Sequence, residues 1–249
     1  MNIESYFNRI KYTDPIYTDN NTLINLHQHH IYSVPFENLD IYYKRIFTIE
    51  PEHLFNKVIK NNRGGFCYEL NLLFVQLLKT LGFQARIISA SIFDDVGNEG
   101  PEFDHMAIYV YTDRPFLADV GYGDLFIRPL EIKEGSQYDG SNFFKLEKMK
   151  ENKYLLYMSD DGNRYKLKYS FHTEEVSVNS FEKICLDKQV NPNSYFVKNL
   201  ICTKPTKSGR ITIFNTKLIE KRNNEKMEVQ IESDDQLRSA LKINFGIKI

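Results

Sequence analysis

Apolar positions in the first third of the chain recur at helical spacing. Leu23, Leu26, Ile31 and Val34 fall on one stripe, and Pro51 stands where the first turn of a helix carrying Leu54, Phe55 and Val58 would begin. Leu70, Phe74, Leu77 and Leu81 repeat at intervals of three and four, with Gly82 placed as a C-terminal glycine cap. Beyond Gly82 the period changes. QARIISASIF, HMAIYVY and PFLADVGY are short β-branched or aromatic runs bounded by turn residues, and they predict strands. YLLYM and RYKLKYSF flank SDDGN, a hairpin signal, and Tyr165, Leu167, Tyr169 and Phe171 alternate. FEKICLDKQV predicts a connecting helix. RITIFN and KMEVQI predict further strands, and Ser233 with Gln236 forms a capping-box pattern ahead of Leu237 and Leu241. The fold class is therefore α+β. Its parts are a helical one over 1–83, an antiparallel sheet or barrel over 84–190, and a mixed one over 191–249. No internal repeat or long low-complexity linker separates them, so they are expected to pack as one unit.

Composition narrows the partners. Hydrophobic residues make up 42% and charged residues 26% of the 249, enough for a sizeable core in a soluble globular protein. The 32 basic and 33 acidic residues leave a net charge of −1, which offers no electrostatic reason to expect nucleic acid or a membrane surface as partner. The N-terminal MNIESYFNRIKYTDP has no basic segment leading into an apolar run, which reads against a secretory signal, and no apolar stretch approaches membrane-spanning length. Three cysteines, Cys67, Cys185 and Cys202, cannot all pair and form no CxxC. A disulfide framework or structural zinc site is thus not expected, and a cytoplasmic location is.

Of the three thiols, Cys67 stands apart. It follows NNRGGF and opens the Leu70–Leu81 helix, where unpaired amides and the positive end of the helix dipole stabilise a thiolate. The same amides could hold an oxyanion formed when that thiolate attacks a carbonyl. Gly64 and Gly65 remove side-chain bulk, leading us to expect room for a substrate to reach the sulfur. The competing reading is a small buried hydrophobe. A base decides between them. His105 begins the strand HMAIYVY, and Asp119 lies fourteen residues on, near the end of the next strand, with TDRP as a hairpin turn between. Neighbouring strands would bring the two together, the carboxylate fixing the imidazole tautomer as in a triad. Taken separately, His105 could be a satisfied core histidine and Asp119 a turn cap.

The other candidates carry less. HQHH at 27–30 lacks a nearby Cys, Asp or Glu to complete a metal pattern, so no metal is expected and a solvated or partly buried helix face is. Cys185 and Cys202 sit in apolar surroundings and read as inert packing residues. GYGD at 121–124 is neither a Walker loop nor a dinucleotide fingerprint, and reads as a tight turn.

RGGFCYELN, SVPFENLDI, FDHMAIYV and LADVGYGD, in their order of position a set spread across the first half, resemble the arylamine N-acetyltransferases. NPNSYFVKNLICTKPTKSGRITI is similar to the C-terminal region of that family, so the resemblance runs from about residue 5 to the last strands. It implies an N-terminal helical bundle, a central β-barrel and a C-terminal α/β lid around a cysteine-protease-like core. It implies Cys67 as nucleophile, His105 as base and Asp119 as orienting acid. The implied reaction transfers an acetyl group from acetyl-CoA, a co-substrate, to an arylamine, arylhydrazine or N-hydroxyarylamine by a ping-pong route through acetyl-cysteine. Phe36, Tyr68 and Phe196 match positions that shape the acceptor pocket; Pro101, Asp104 and Asn193 match the regions that contact coenzyme A. The polar segment 133–160 departs from the pattern. A Cys-His-Asp amidase, a transglutaminase-like enzyme and a biosynthetic amide synthase share the same acyl-cysteine chemistry, and a non-catalytic binding domain is the alternative from another class.

Overall fold

The computed structural model describes residues 1–223 and 225–249. Its helical part runs through α1 (Ile3–Ile10), α2 (Asn20–Ser33), a short β1 (Phe36–Glu37), α3 (Leu39–Tyr42), α4 (Pro51–Phe55) and α5 (Cys67–Thr80). Pro51 occupies the first turn of α4 as its missing N–H allows, and Asn56–Lys60 extend that helix as a π-helical turn. Gly82 turns the chain out of α5 with φ +90°, a conformation that favours glycine.

The central sheet comprises β2 (Gln84–Ile92), β3 (His105–Tyr111), β4 (Pro115–Ala118), β5 (Leu130–Glu131), β6 (Gly135–Tyr138), β7 (Phe143–Lys150), β8 (Lys153–Ser159) and β9 (Lys166–His172). Its order is β5-β4-β3-β2-β9-β8-β7-β6, with antiparallel pairing throughout. The sheet curls into a nearly closed barrel. At the seam a side chain stands in for the missing ladder: Gln137 Nε2 donates to Glu131 O at 2.7 Å, and its Oε1 accepts from Glu131 N–H at 3.0 Å. The inside is filled by Leu117, Phe144, Leu146, Leu156, Tyr169 and Phe171, alternate residues of their strands.

After α6 (Glu182–Val190) and α7 (Tyr195–Lys198), a second antiparallel sheet forms from β10 (Ile201–Thr206), β11 (Gly209–Phe214), β12 (Lys217–Arg222) and β13 (Glu225–Gln230), closed by α8 (Asp234–Phe245). Two interlocks tie the parts together. Strand β1, from the helical part, pairs with β10 through Phe36 opposite Thr203 and Glu37 opposite Cys202. Phe181 and Cys185, late in the chain, join the helical core. No described helix is long and apolar enough to cross a membrane.

A buried ion network then fixes the loop before α5. Arg63 Nε and Nη2 donate to Glu37 Oε1 and Oε2 at 2.8 and 3.1 Å, and Nη2 also reaches Asp40 Oδ1 at 3.2 Å. Lys57 Nζ bonds Asp40 Oδ2 and Glu69 Oε1, both at 2.7 Å. Burial raises the Glu69 carboxyl to about 7, although Lys57 pulls the other way. Arg9 completes the frame, donating to the carbonyls of Ser33, Val58 and Arg63 at 2.7, 3.0 and 3.1 Å. Removing one partner of such a network strands a buried charge. Arg63→Met is therefore expected to lower unfolding free energy by roughly 3–5 kcal/mol in chemical denaturation. A loss under about 1 kcal/mol, the range of exposed ion pairs, would show that the network does not hold the loop.

Candidate active site

Helix α5 begins at Cys67; the amides of Glu69 and Leu70 both donate to Phe66 O at 3.0 Å, leaving those of Cys67 and Tyr68 as the first-turn amides without an intrahelical partner. The Glu69 side chain reaches back to the residue that caps the helix, its Oε2 accepting from Phe66 N–H at 3.1 Å. Lys57 neutralises this carboxylate, which would otherwise oppose a thiolate in the same turn.

The glycines ahead of Cys67 do not serve the purpose expected of them. A Cβ on Gly64 would lie 2.0 Å from Pro35 O, and one on Gly65 would lie 2.8 Å from Glu69 Oε2. Both positions are closed by this chain's own packing, so the glycines let the loop press against β1 and α5. They do not clear a path to the sulfur. The glycine that touches Cys67 is Gly121, where a Cβ would come within 2.7 Å of Cys67 Cα and of Asn71 Nδ2.

His105 begins β3 and Asp119 follows the last residue of β4, both fully buried beside α5. His105 Nε2 donates to Asp119 Oδ2 at 2.7 Å, since a carboxylate can only accept. That leaves Nδ1 as the ring nitrogen available to the Cys67 side chain, which lines the same cavity as the ring. Burial alone would push the imidazole down, but the Asp119 charge and hydrogen bond, with Cys67 beside it, raise it to about 10. Burial would likewise raise Asp119, yet His105, Asn71 and the Gly121 amide together hold it below the usual carboxylate range.

Asp119 accepts four hydrogen bonds. Besides His105, Tyr169 OH donates to Oδ2 at 3.2 Å, and Asn71 Nδ2 and Gly121 N–H each donate to Oδ1 at 2.9 Å. Asn71 lies one helical turn after Cys67, and its Oδ1 also accepts from Val120 N–H at 2.9 Å. One side chain thus ties the helix of Cys67 to the loop of Asp119. The sequence reading missed Asn71 and Tyr169. A polar residue in an otherwise apolar helix, and a tyrosine on the inward face of β9, were the available signals.

The histidine run is the partly buried of the two helix faces expected, with His27 and His30 fully buried and Gln28 and His29 half-buried. His27 Nδ1–H donates to Ile127 O at 3.2 Å, and Nε2 accepts from Asp119 N–H at 3.3 Å. Burial lowers its pKa to about 4, keeping it neutral as that pattern requires. His30 Nδ1 meets Tyr6 OH at 2.8 Å. No group of three or more potential metal ligands occurs among the described residues. Cys185 and Cys202 are buried, and burial raises the Cys185 thiol to about 12.

Cys67 and His105 open onto a cavity of about 650 Å³ between the barrel, α6–α7 and the second sheet. Phe36, Phe196 and Asp104 line it with them, Phe36 and Phe196 with ring centroids 6.1 Å apart. Asp104 pairs with Lys188 at 2.6 Å, and Lys188 lies over the Phe196 ring. Tyr68, Pro101 and Asn193 are not part of this wall. Tyr68 is fully buried, its hydroxyl donating to the carbonyls of Phe103 and Asp104 at 2.8 and 2.9 Å. Pro101 caps the loop before β3 through its carbonyl, which accepts from Asp104 N–H and Ser91 Oγ. Asn193 is exposed in the turn before α7.

The chain matches the N-acetyltransferase family model over residues 19–249. Arylamine N-acetyltransferase, pineal gland isozyme NAT-10, of Gallus gallus is 30% identical, aligned over all of this chain and 95% of its own length. Among solved structures, the arylamine N-acetyltransferase of Mycobacterium smegmatis superposes with TM-score 0.91 at 26% identity, covering 100% of this chain and 93% of that one. The Bacillus cereus (BACCR)NAT3 enzyme, described as having a unique Cys-His-Glu catalytic triad, superposes with TM-score 0.90 at 26% identity, each chain fully covered.

Two expectations follow from this geometry. Gly121→Ala should displace Cys67 from His105, lowering the rate of thiol alkylation by iodoacetamide while the fold persists; an unchanged rate would contradict the close packing. The second concerns pH. Because the folded pKa of His105 exceeds the ordinary 6.5, its stabilising contribution is complete below pH 6.5 and is lost as pH rises through about 10. The stability gap between wild type and Asp119→Asn, measured by urea denaturation, should therefore narrow across that window; a constant gap would exclude the ion pair as its source.

Proposed function

This chain belongs to the arylamine N-acetyltransferase family and is an acyltransferase, and from that premise we propose how its own residues carry the reaction. The Cys67 thiolate attacks the thioester carbonyl of acetyl-CoA. Amides at the start of α5 stabilise the oxyanion as it forms. The C–S bond to coenzyme A breaks, its sulfur takes the proton held on His105, and the acetyl group remains on Cys67. An arylamine, arylhydrazine or N-hydroxyarylamine then attacks that acetyl carbonyl. Such amines are neutral near pH 7, so no proton need leave before attack; His105 receives it as the amide forms, and the Cys67 thiolate is released.

The observation that carries this reading is the buried 2.7 Å contact between His105 and Asp119, with Cys67 at a helix start on the same cavity as the imidazole. Asp119 orients the ring and stabilises its charged form without itself taking the proton. The aromatic wall of Phe36 and Phe196 suits a flat acceptor ring. Coenzyme A is the donor in this reading, and the fold is shared with the Mycobacterium marinum arylamine N-acetyltransferase solved in complex with CoA.

Intact and peptide mass spectrometry after mixing with acetyl-CoA tests the proposal. One acetyl group is expected on Cys67, released when an anisidine or an aryl hydrazide is added. Asp119→Asn is expected to slow acetylation by about three to four orders of magnitude, the scale of losing a triad's orienting carboxylate. Cleavage of peptide amides without formation of acetyl-Cys67 would instead identify an amidase.

A further inference from the structure

The strand that carries His105 is held unevenly at its start. On one edge β2 pairs with it from the first residue, Ala90 opposite His105. On the other edge β4 reaches it only from Ile108 onward, opposite Ala118. His105, Met106 and Ala107 therefore have one edge outside the ladder, and Phe103 and Asp104, just before them, lie outside it altogether. Two side chains of α5 supply what the ladder leaves open. Tyr68 OH donates to Phe103 O and Asp104 O at 2.8 and 2.9 Å, and Asn71 Nδ2 donates to Met106 O at 2.6 Å. Tyr68 and Asn71 stand three residues apart, on one face of their helix. The helix that begins at Cys67 thus grips the backbone on both sides of His105.

The segment it grips is under strain. Phe103 has φ +63°, a left-handed conformation that a bulky residue adopts rarely and at a cost. Such a conformation persists only where its surroundings over-determine it. Here the Phe103 N–H donates to Ser89 Oγ at 3.0 Å, and its ring packs edge-on against Phe181 with centroids 5.3 Å apart. Phe181 in turn lies 5.6 Å from the Tyr68 ring. The Tyr68 hydroxyl completes the set, its one proton shared by two successive carbonyls.

We propose that Tyr68 is a positioning residue for His105: its hydroxyl, one residue from Cys67, holds the strained Phe103–Asp104 backbone and so fixes where the imidazole meets the sulfur. The inference rests on the pairing of Cys67 with His105 in the proposed reaction, and not on the identity of the acyl donor or acceptor. It replaces the acceptor contact that the sequence implied for Tyr68, whose ring is fully buried and outside the wall of Phe36 and Phe196. Asn71 also bonds Asp119, so removing it would disturb acid and histidine together. The Tyr68 hydroxyl bonds only the two carbonyls among the described residues, which makes it the cleaner handle on the histidine.

Tyr68→Phe removes that hydroxyl and keeps a ring packed between Phe66 and Phe181. The test follows alkylation of Cys67 by iodoacetamide, read by peptide mass spectrometry, in wild type, Tyr68→Phe, His105→Gln and the double variant. Tyr68→Phe is expected to slow alkylation by roughly tenfold or more, as a misplacement of about 1 Å between reacting groups can. It should cost nothing further where His105 is already Gln, because the two act as one unit. With acetyl-CoA and an anisidine, the loss should fall on kcat and leave the KM for the amine unchanged. If Tyr68→Phe folds poorly, Ser89→Ala, which frees the Phe103 N–H, should give the same His105-dependent loss. A wild-type alkylation rate in Tyr68→Phe, or in Ser89→Ala where only that variant folds, overturns the proposal. An equal loss with and without His105 also overturns it, by marking a general packing defect. A raised amine KM with unchanged alkylation returns Tyr68 to the acceptor wall. Wild-type alkylation in His105→Gln refutes the pairing of Cys67 with His105, and this proposal with it.

Discussion

A carboxylate taken out of water is costly unless its oxygens are fully bonded, and Asp119 is buried almost completely. Its donors come from α5, β3, β9 and its own loop, while His27 on α2 takes up its backbone N–H. Satisfying this one group therefore forces the helical part, the barrel and the 119–121 turn into a single relative placement. That placement is also what brings His105 to Cys67. Stability and site geometry here are the same requirement, because any shift that opened the site would leave an ionised oxygen without a donor.

A second constraint acts from the other side of Cys67. RGGFCYELN and SVPFENLDI are separated in sequence but are two halves of one clamp: Arg63 grips Glu37 and Asp40, Phe36 bridges to Gly65, and Gly64 N–H reaches Glu37. The two motifs carry more information together than apart because each residue set is meaningless without its partner. The glycines belong to this clamp, which is why reading them as an approach channel failed. Local sequence can say that a side chain is missing, but not which neighbour fills the space.

Elements with a strong period were legible from sequence. The stripe through α5, the alternation in β9 and the helix α6 follow from residues whose burial is set by their own spacing. Strands β7 and β12 were passed over because lysines and glutamates dominate them, although Phe144 and Leu146 keep the inward alternation. The pairing of Cys67, His105 and Asp119 could be anticipated because a short hairpin fixes two of the three. Asn71, Tyr169 and His27 could not, since their partners lie 48, 50 and 92 residues away.

The pairing of β1 with β10 has a consequence in time. Phe36 and Glu37 bridge to Gly65 on one side but wait for residues 202 and 203 before their other edge gains its antiparallel partner, although Cys67, His105 and Asp119 have all been made long before. During synthesis from the N-terminus, the wall carrying Phe36 stays an unpaired edge until the second sheet emerges. The nascent chain can therefore hold Cys67, His105 and Asp119 while lacking one side of the chamber around them. Enclosure comes last, and the late strands act as the closing act of maturation around a thiol already in place.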